Sequence, residues 1–309
     1  MDRDRVRTVL LDHACGEVVR HLHADGHRVI LLKGHTIAHW LYSDPAERTY
    51  GDLDVLVNPA DEHAVVESLR ALGYRPVFDK AWRATSPEEQ PLRNSRGVVI
   101  DLHVSIKGIR LPPQEAWDVL SELTVPWDWA GTPVEALAPH GRAVHLAVHV
   151  AQSGLADTKA AHDLALGLQR LHVETWREAA RLARRLDALD AFAAGLRLIP
   201  AGERLATDLG LPQPRHLETR MRADSAGHPA IVLERVLSGR TWRERVRMAY
   251  AHVFPSAIWM RTMHPEETRT TGALLRARVL RPFVLLGKLP AAIRTRGRFR
   301  RARGTRAAP

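Results

Sequence analysis

The sequence predicts an α/β domain followed by an all-helical domain and a basic C-terminal tail. In roughly the first 125 residues, short apolar runs of strand length alternate with amphipathic runs of helix length. From Pro139 to about Leu209 only helical periodicity occurs. The last segment differs in charge, because residues 271–309 contain eleven basic side chains and no acid. We therefore place the domains at residues 1–125, 126–265 and 266–309.

The elements of the α/β part follow from periodicity and from helix stop signals such as Gly73. Residues 86–96, which are rich in polar residues and bounded by turn residues, are expected to form an exposed loop, and residues 211–228 a connector. The expected elements, in order, are a helix to residue 24, a strand to 33, a helix over 35–42, a strand around 52–57, a helix over 60–72, strands over 74–78, 82–85 and 98–106, and, after the helical domain, a helix over 240–254.

Two of the predicted strands carry acids at alternate positions. Asp52 and Asp54 alternate with apolar residues, and Asp101 and His103 repeat the pattern on the later strand. Successive side chains of a strand point to opposite faces, so each pair lies on one face while the apolar residues enter a core. If the two strands are neighbours, the three carboxylates share one cluster.

Such a cluster favours a bound cation. Carboxylates that lie side by side repel each other, and hard oxygen ligands suit Mg²⁺ or Mn²⁺. Two such ions activate an attacking hydroxyl and stabilise the oxygens of a phosphoryl displacement, which predicts nucleotidyl or phosphoryl transfer. The alternative is that Asp52 and Asp54 only solvate an edge strand and that Asp101 is an unrelated surface acid.

The segment from Leu31 to about Ile106 resembles a known family. The chain contains Lys33-Gly34, then Arg48-x-x-Gly-Asp52-Leu-Asp54-Val-Leu-Val, then Asp101-Leu-His103. These residues resemble the uncharacterised bacterial nucleotidyltransferase family of the DNA polymerase beta-like nucleotidyltransferase superfamily. The resemblance implies a nucleotidyltransferase-fold mixed sheet with flanking helices and implies Asp52, Asp54 and Asp101 as metal ligands. It extends into the helical region, to about residue 265.

The resemblance also implies an activity. The expected reaction is metal-dependent transfer of a nucleoside monophosphate from an NTP, with ATP as the expected donor, to a hydroxyl or other nucleophile. The acceptor stays open between a peptide, a metabolite, a protein and an RNA. The alternatives are a phosphotransferase on the same fold, a nucleotide-binding regulatory protein without turnover, and an RNA-binding module.

Lys33, Gly34, Arg48 and His103 are candidate site residues whose roles are less specific. A strand-to-helix turn at Gly34 lets backbone amides approach a phosphate, and Lys33 is expected to bind the triphosphate. The alternative is a lysine at a strand end followed by an ordinary turn glycine. Arg48 either clamps a phosphate or neutralises the acids. His103 acts as a general base, hydrogen-bonds a carboxylate or orients the metal site.

The helical part holds a second group of possible ligands. His145 and His149 are four residues apart and therefore lie on one helix face, as in some zinc sites, and His162-Asp163 is the dipeptide of metal phosphohydrolases. The alternative is that these histidines, with His140, are ordinary core or surface residues. Gln152, Lys159 and Asp163 are possible substrate contacts.

Composition indicates a soluble, cytoplasmic protein. No apolar run approaches the roughly 18 residues that a membrane span requires, no signal segment follows the charged N-terminus, and the single cysteine, Cys15, excludes an intramolecular disulfide. The net charge is +10, yet the 270 residues before the tail hold 34 basic and 35 acidic side chains. The tail is expected to be either solvated and partly disordered or a weak contact for nucleic acid or an anionic surface. Residues 274–289 predict a surface helix or an interfacial helix.

Overall fold

The computed structural model describes residues 3–78, 83, 86–129, 131–239 and 241–302. The chain divides into two compact units: Met1–Pro76 with Glu88–Gln213, and Val77–Pro87 with Pro214–Pro309. The first unit holds a mixed sheet and most of the helices, and the second unit is built from helices.

A seven-stranded mixed sheet forms the centre of the first unit, with the strand order β3-β4-β5-β2-β1-β7-β6. The pairs β2–β5 and β1–β7 are parallel, and the other neighbouring pairs are antiparallel. The strands are β1 (Val29–Leu31), β2 (Asp52–Val57), β3 (Arg75–Pro76), β4 (Glu89–Arg93), β5 (Val99–His103), β6 (Thr124–Trp129) and β7 (Thr132–Leu137).

Nine helices of the first unit flank or follow this sheet in the described part of the chain. They are α1 (Arg3–Ala24), α2 (His35–Leu41), α3 (Glu62–Ala71), α4 (Pro113–Ser121), α5 (Pro139–Ser153), α6 (Thr158–Arg170), α7 (Val173–Arg185), α8 (Leu189–Leu196) and α9 (Pro200–Asp208), with short 3-10 turns at Pro45–Glu47 and Pro59–Asp61. Two of the observations on which the fold prediction rests are thus confirmed: strands alternate with helices at first, and the stretch after Pro139 is helical.

The core lies where the period-two pattern places it. Leu53 and Val55 of β2 and Ile100 of β5 are fully buried in one cluster with Val18 and Leu22 of α1. The sheet face that carries Asp54 is also covered, since Asp54 and Leu56 are buried as well. Asp54 is therefore buried inside the unit, and the half-buried Asp52 and Asp101 lie on inner strands of the sheet and not on an edge strand.

Three expectations about local structure are corrected. Residues 86–96 are not only a loop, because β4 forms there and pairs with β5. The sheet does not end near residue 125, because the β6–β7 hairpin crosses that point and β7 joins β1. The connector over 211–228 contains a helix. The strand expected over 82–85 falls on residues outside those described, apart from Arg83.

The second unit contains the helices α10 (Leu217–Ala223), α11 (His228–Ser238), α12 (Trp242–Val253), α13 (Ala257–Met263) and α14 (Thr271–Arg301), with a 3-10 turn at Glu266–Thr268. Its small core includes Met221, Ala230, Ile231 and Ala292. Helix α14 runs unbroken through Pro282 and Pro290, so the expected partly disordered tail is helical as far as Arg301. Among the described residues, no helix is long and apolar enough to cross a membrane.

Candidate active site

Strands β2 and β5 bring the predicted acids together. The two strands are parallel neighbours, and their register sets Asp54 directly opposite Asp101. Opposite residues of neighbouring strands lie on the same face, where like charges destabilise the sheet. Ligand atoms of Asp54, Asp101 and His103 all lie within 4.8 Å of one another. The register thus brings Asp54, Asp101 and His103 into one group, whereas Asp52, opposite Val99, is not part of it.

Asp54 is the centre of this acid cluster. Its side chain is 1% exposed, and its Oδ1 accepts hydrogen bonds from Lys33 Nζ at 2.9 Å and from His103 Nε2 at 3.1 Å. Its other oxygen, Oδ2, is buried and has no hydrogen-bond partner among the described residues. A buried carboxylate oxygen without a partner is costly, so this atom is where an additional ligand would be most stabilising.

The charges of the cluster do not balance. Burial and the Asp54 carboxylate raise the pKa of Asp52, and the same two causes raise the pKa of Asp101 to about 7. Burial would also raise the pKa of Asp54, but Lys33 and His103 hold it below its ordinary value. Burial would lower the pKa of Lys33, but Asp54 and Asp52 raise it. One lysine therefore faces three carboxyl groups, and the surplus negative charge favours a cation.

The residues present fit a divalent cation. Asp54 and Asp101 offer carboxylate oxygens, which Mg²⁺ and Mn²⁺ prefer, and Asp54 Oδ2 is an oxygen that nothing else in the described chain engages. Asp52 is half-buried two residues before Asp54 on the same strand face, although it is not part of the tight group. His103 already donates to Asp54, which suits a residue that orients a ligand.

The turn after β1 positions Lys33. Leu32 N donates to the carbonyl oxygen of Asp54, which ties the end of β1 to the middle of the acid strand. Gly34 has φ 71°, a left-handed conformation that glycine adopts without strain, and helix α2 begins at His35. Lys33 therefore lies between the end of β1 and the start of α2, with its Nζ beside Asp54.

Arg48 is held by a partner that the sequence does not indicate. Its Nε lies 2.8 Å and 3.0 Å from the two carboxylate oxygens of Asp163, its Nη2 donates to Oδ2 at 2.7 Å, and its Nη1 donates to the Gly34 carbonyl at 3.1 Å. Tyr42 donates to the same carboxylate at 2.7 Å. Arg48 and Asp163 are both buried. Arg48 thus contacts the turn that carries Lys33 and is engaged by Asp163, not by the acid cluster.

A small pocket lies between Lys33 and the helices α2, α5 and α6. His145 lines it, and burial together with the neighbouring His149 and Lys33 lowers the pKa of His145 well below its ordinary value. Its Nδ1 is buried and has no hydrogen-bond partner among the described residues. The lining residues are Lys33, Ile37, Arg48, His145, Leu146, His149, Ala160 and Asp163. The sequence pattern places His145 and His149 on one helix face but does not indicate that this face lies next to Lys33.

The second predicted metal group is not assembled. Within the described ranges, Asp54, Asp101 and His103 are the only group of three potential ligands that come together. His162 is exposed, and both oxygens of Asp163 are engaged by Arg48 and Tyr42. His149 faces Asp157 at 3.6 Å, and Lys159 donates to the Thr49 carbonyl at 3.0 Å. His149, Lys159 and Asp163 therefore each have a partner within the chain other than a metal ion.

Comparison with known families assigns the chain. The model of the family described as uncharacterised nucleotidyltransferase matches residues 3–201, about two thirds of the chain and all of the acid cluster. The chain belongs to this family. A comparison with curated protein sequences finds no match.

Two solved structures resemble the nucleotidyltransferase at low identity. The solution structure of the antibiotic-resistance factor ANT(2'')-Ia is 12% identical, with 59% of this chain and 96% of that chain covered and a TM-score of 0.42. The crystal structure of an antigenic nucleotidyltransferase-like protein from Paracoccidioides brasiliensis is 13% identical, with coverages of 66% and 94% and a TM-score of 0.39.

Proposed function

We propose that this nucleotidyltransferase moves a nucleoside monophosphate from an NTP, with ATP as the donor, to a hydroxyl or other nucleophile, and that it requires Mg²⁺ or Mn²⁺. The observation that carries the proposal is the buried acid cluster of Asp54, Asp101 and His103, in which Asp54 Oδ2 has no hydrogen-bond partner in the described chain. Family membership supplies the reaction class, and the donor set supplies the metal requirement.

Asp52, Asp54 and Asp101 are the residues that would hold the cation. A divalent ion bound to such carboxylates stabilises charge on phosphate oxygens and makes an attacking hydroxyl easier to deprotonate. His103 donates to Asp54 through Nε2 and so fixes the orientation of that carboxylate. This contact favours a positioning role for His103 over a general base, because the ring nitrogen nearest the acids is already engaged.

Lys33 is the proposed triphosphate contact. The acids raise its pKa, so it carries a full positive charge at neutral pH, and its side chain is one quarter exposed at the edge of the pocket. A charged amine in this position neutralises phosphate oxygens and repels none of the acids. Gly34 supplies the turn that allows this approach.

Arg48 has a proposed positioning role. Three of its nitrogens are used by Asp163 and by the Gly34 carbonyl, so it braces the turn that presents Lys33. A direct clamp on the triphosphate would require the guanidinium to leave a buried bidentate ion pair, which is costly. The predicted phosphate contact of Arg48 is therefore the less favoured of its two roles.

Labelled nucleotides test the proposed reaction. The full chain is incubated with Mg²⁺, host lysate and each NTP labelled at the α or the γ phosphate, beside the variant D52N/D54N. Transfer of the α label by the wild type alone would support nucleotidyl transfer and identify the acceptor as a peptide, a metabolite, a protein or an RNA. Transfer of the γ label would replace the proposal with a phosphotransferase.

Metal binding tests the site without an acceptor. Titration of Mn²⁺ followed by electron paramagnetic resonance is expected to show saturable binding to the wild type and none to D52N/D54N. The control D118N/D208N makes the same change of charge at two exposed helical acids and is expected to bind Mn²⁺ as the wild type does. Equal binding by all three proteins would remove the acid cluster as the metal site.

A further inference from the structure

Helix α14 of the second unit has a row of large apolar side chains in solvent. The row recurs at spacings of three, four and seven residues, so its members lie along one side of the helix over about 27 Å. Its members are between 55% and 67% exposed: Leu275, Val279, Phe283, Leu286 and Ile293. A soluble protein rarely leaves so long an apolar row uncovered unless something binds there.

The opposite side of α14 holds the helix to its own unit. Leu274 and Ala292 are buried, and Ala292 belongs to the core of the unit. Arg281 donates to the His252 carbonyl at 3.0 Å, and Arg296 forms an ion pair with Glu234 at 2.5 Å. The apolar row is therefore not the face that the second unit uses to fold.

The charges that α14 itself carries beside the row have one sign. The exposed cations Arg276, Arg278 and Arg294 flank the apolar positions, and residues 271–309 contain no acid. None of these three cations forms an ion pair within the part of the chain that the structure describes. A surface of this charge attracts a polyanion and repels a second copy of itself.

The combination of apolar and cationic side chains favours one kind of polyanionic partner over another. Nucleic acid gains from cations and from aromatic stacking, but only Phe283 of the row can stack on a base, and its four aliphatic members contribute nothing to phosphate or base contacts. A bilayer with anionic lipids satisfies both parts, because the apolar side chains enter the acyl boundary while the arginines stay at the headgroups. Helix α12 of the same unit also exposes Trp242 and Tyr250, residue types that are favoured at membrane interfaces.

We propose that the exposed side of α14 binds the surface of an anionic lipid bilayer and holds the enzyme against it. The helix lies on the membrane and does not cross it. This surface belongs to the second unit, which lies almost wholly beyond the residues matched by the family model, so the proposal does not depend on the proposed reaction.

Vesicle flotation with the full chain tests the proposal. The wild type is expected to float with vesicles of phosphatidylcholine and phosphatidylglycerol at 3:1 and to stay behind with pure phosphatidylcholine. F283E/L286E is expected to lower the partition coefficient at least about tenfold per residue, because two apolar contacts are replaced by charges that the lipid repels. R276Q/R278Q is expected to lower it about fivefold per lost cation.

Matched controls separate this surface from apolar exposure in general. L155E/V173E places the same two charges at exposed apolar positions of the first unit and is expected to float as the wild type does. Circular dichroism of F283E/L286E is expected to match the wild type, since both side chains are in solvent. R276Q/R278Q repeats the test without adding acids.

Several results would overturn the proposal. They are flotation of F283E/L286E at the wild-type level, equal flotation with both lipid compositions, and failure of the wild type to float. Tight binding of a 20-nucleotide RNA by protein that ignores vesicles would assign the surface to nucleic acid. A dimer in light scattering that F283E/L286E converts to a monomer would assign it to a second copy.

Discussion

The first unit contains two buried ion pairs, Arg48–Asp163 and Lys33–Asp54, which differ in how many of their carboxylate oxygens have a hydrogen-bond partner. Asp163 has both oxygens occupied, by Arg48 and by Tyr42. Asp54 has one oxygen occupied by Lys33 and His103 and the other without a partner in the described chain, with two further carboxyl groups nearby. The first pair is electrostatically complete, whereas the second has surplus negative charge. The difference is consistent with a structural role for the Arg48–Asp163 pair and with the ligand site proposed at Asp54.

The largest effect is expected from removing the charges of Asp52 and Asp54 in the acid cluster. D52N/D54N should lower metal-dependent nucleotidyl transfer at least about a thousandfold, because bound metal contributes several kcal/mol to the transition state and about 1.4 kcal/mol is tenfold in rate. The free energy of unfolding should fall by less than about 3 kcal/mol, because D52N removes a repelling charge whereas D54N takes the buried anion from Lys33. Initial rates and urea denaturation measure the two quantities. Turnover at the wild-type level would refute the site.

The next largest effect is expected from breaking the Arg48–Asp163 pair. D163N leaves the buried Arg48 without its anion, which should cost about 3 kcal/mol of unfolding free energy, measured by urea denaturation. The matched control is R177Q, which breaks an exposed pair with Glu174 and should cost under about 1 kcal/mol.

The same D163N variant separates the two roles of Arg48. If Arg48 braces the Gly34 turn, NTP affinity should fall in D163N together with stability. If Arg48 instead clamps the triphosphate, freeing it from Asp163 should leave NTP affinity unchanged or increase it. Isothermal titration with a nonhydrolysable NTP analogue distinguishes these outcomes.

A smaller effect is expected at Lys33. K33Q should weaken NTP binding by about 2 kcal/mol, roughly 30-fold, because a charge-assisted contact with phosphate is lost. Mn²⁺ binding should persist and should stabilise K33Q more than the wild type, since the cluster without Lys33 has more negative charge. Thermal unfolding with and without Mn²⁺ measures this stabilisation. Loss of Mn²⁺ binding in K33Q would mean that Lys33 organises the metal site itself.

Local sequence patterns placed Asp54, Asp101 and His103 on matching strand faces but did not indicate the Arg48–Asp163 pair. Period-two alternation places Asp52 with Asp54 and Asp101 with His103 because a strand has only two faces, and a shared core then brings the strands together. The Arg48–Asp163 pair joins residues 115 positions apart, on a loop and on helix α6, and no local periodicity encodes such a distance. The position of His145 beside Lys33 was missed for the same reason.

For the fold, too, local patterns predicted some elements and missed others. The helices after Pro139 were predictable because each has its own amphipathic repeat. The β6–β7 hairpin was missed because Pro126 and Pro133 interrupt the strand pattern, although the hairpin tolerates both. The basic tail was expected to be partly disordered because its clustered arginines and lack of acids are typical of a solvated segment, yet helix α14 continues to Arg301 and Ala292 anchors it in the core of its unit.

The smallest effect is expected at Tyr42, which completes the pair at Asp163. Y42F removes one hydrogen bond to a carboxylate that Arg48 still binds, so the free energy of unfolding should fall by about 1 kcal/mol, measured by urea denaturation. Because burial and the hydrogen bond to Asp163 raise the pKa of Tyr42, the phenol stays neutral and donates to Asp163 at neutral pH. NTP affinity should be unchanged, in contrast to D163N. If Y42F weakened NTP binding as strongly as D163N, the Arg48–Asp163 pair would belong to the nucleotide site. The distinction between a structural Arg48–Asp163 pair and a functional Lys33–Asp54 pair would then be wrong.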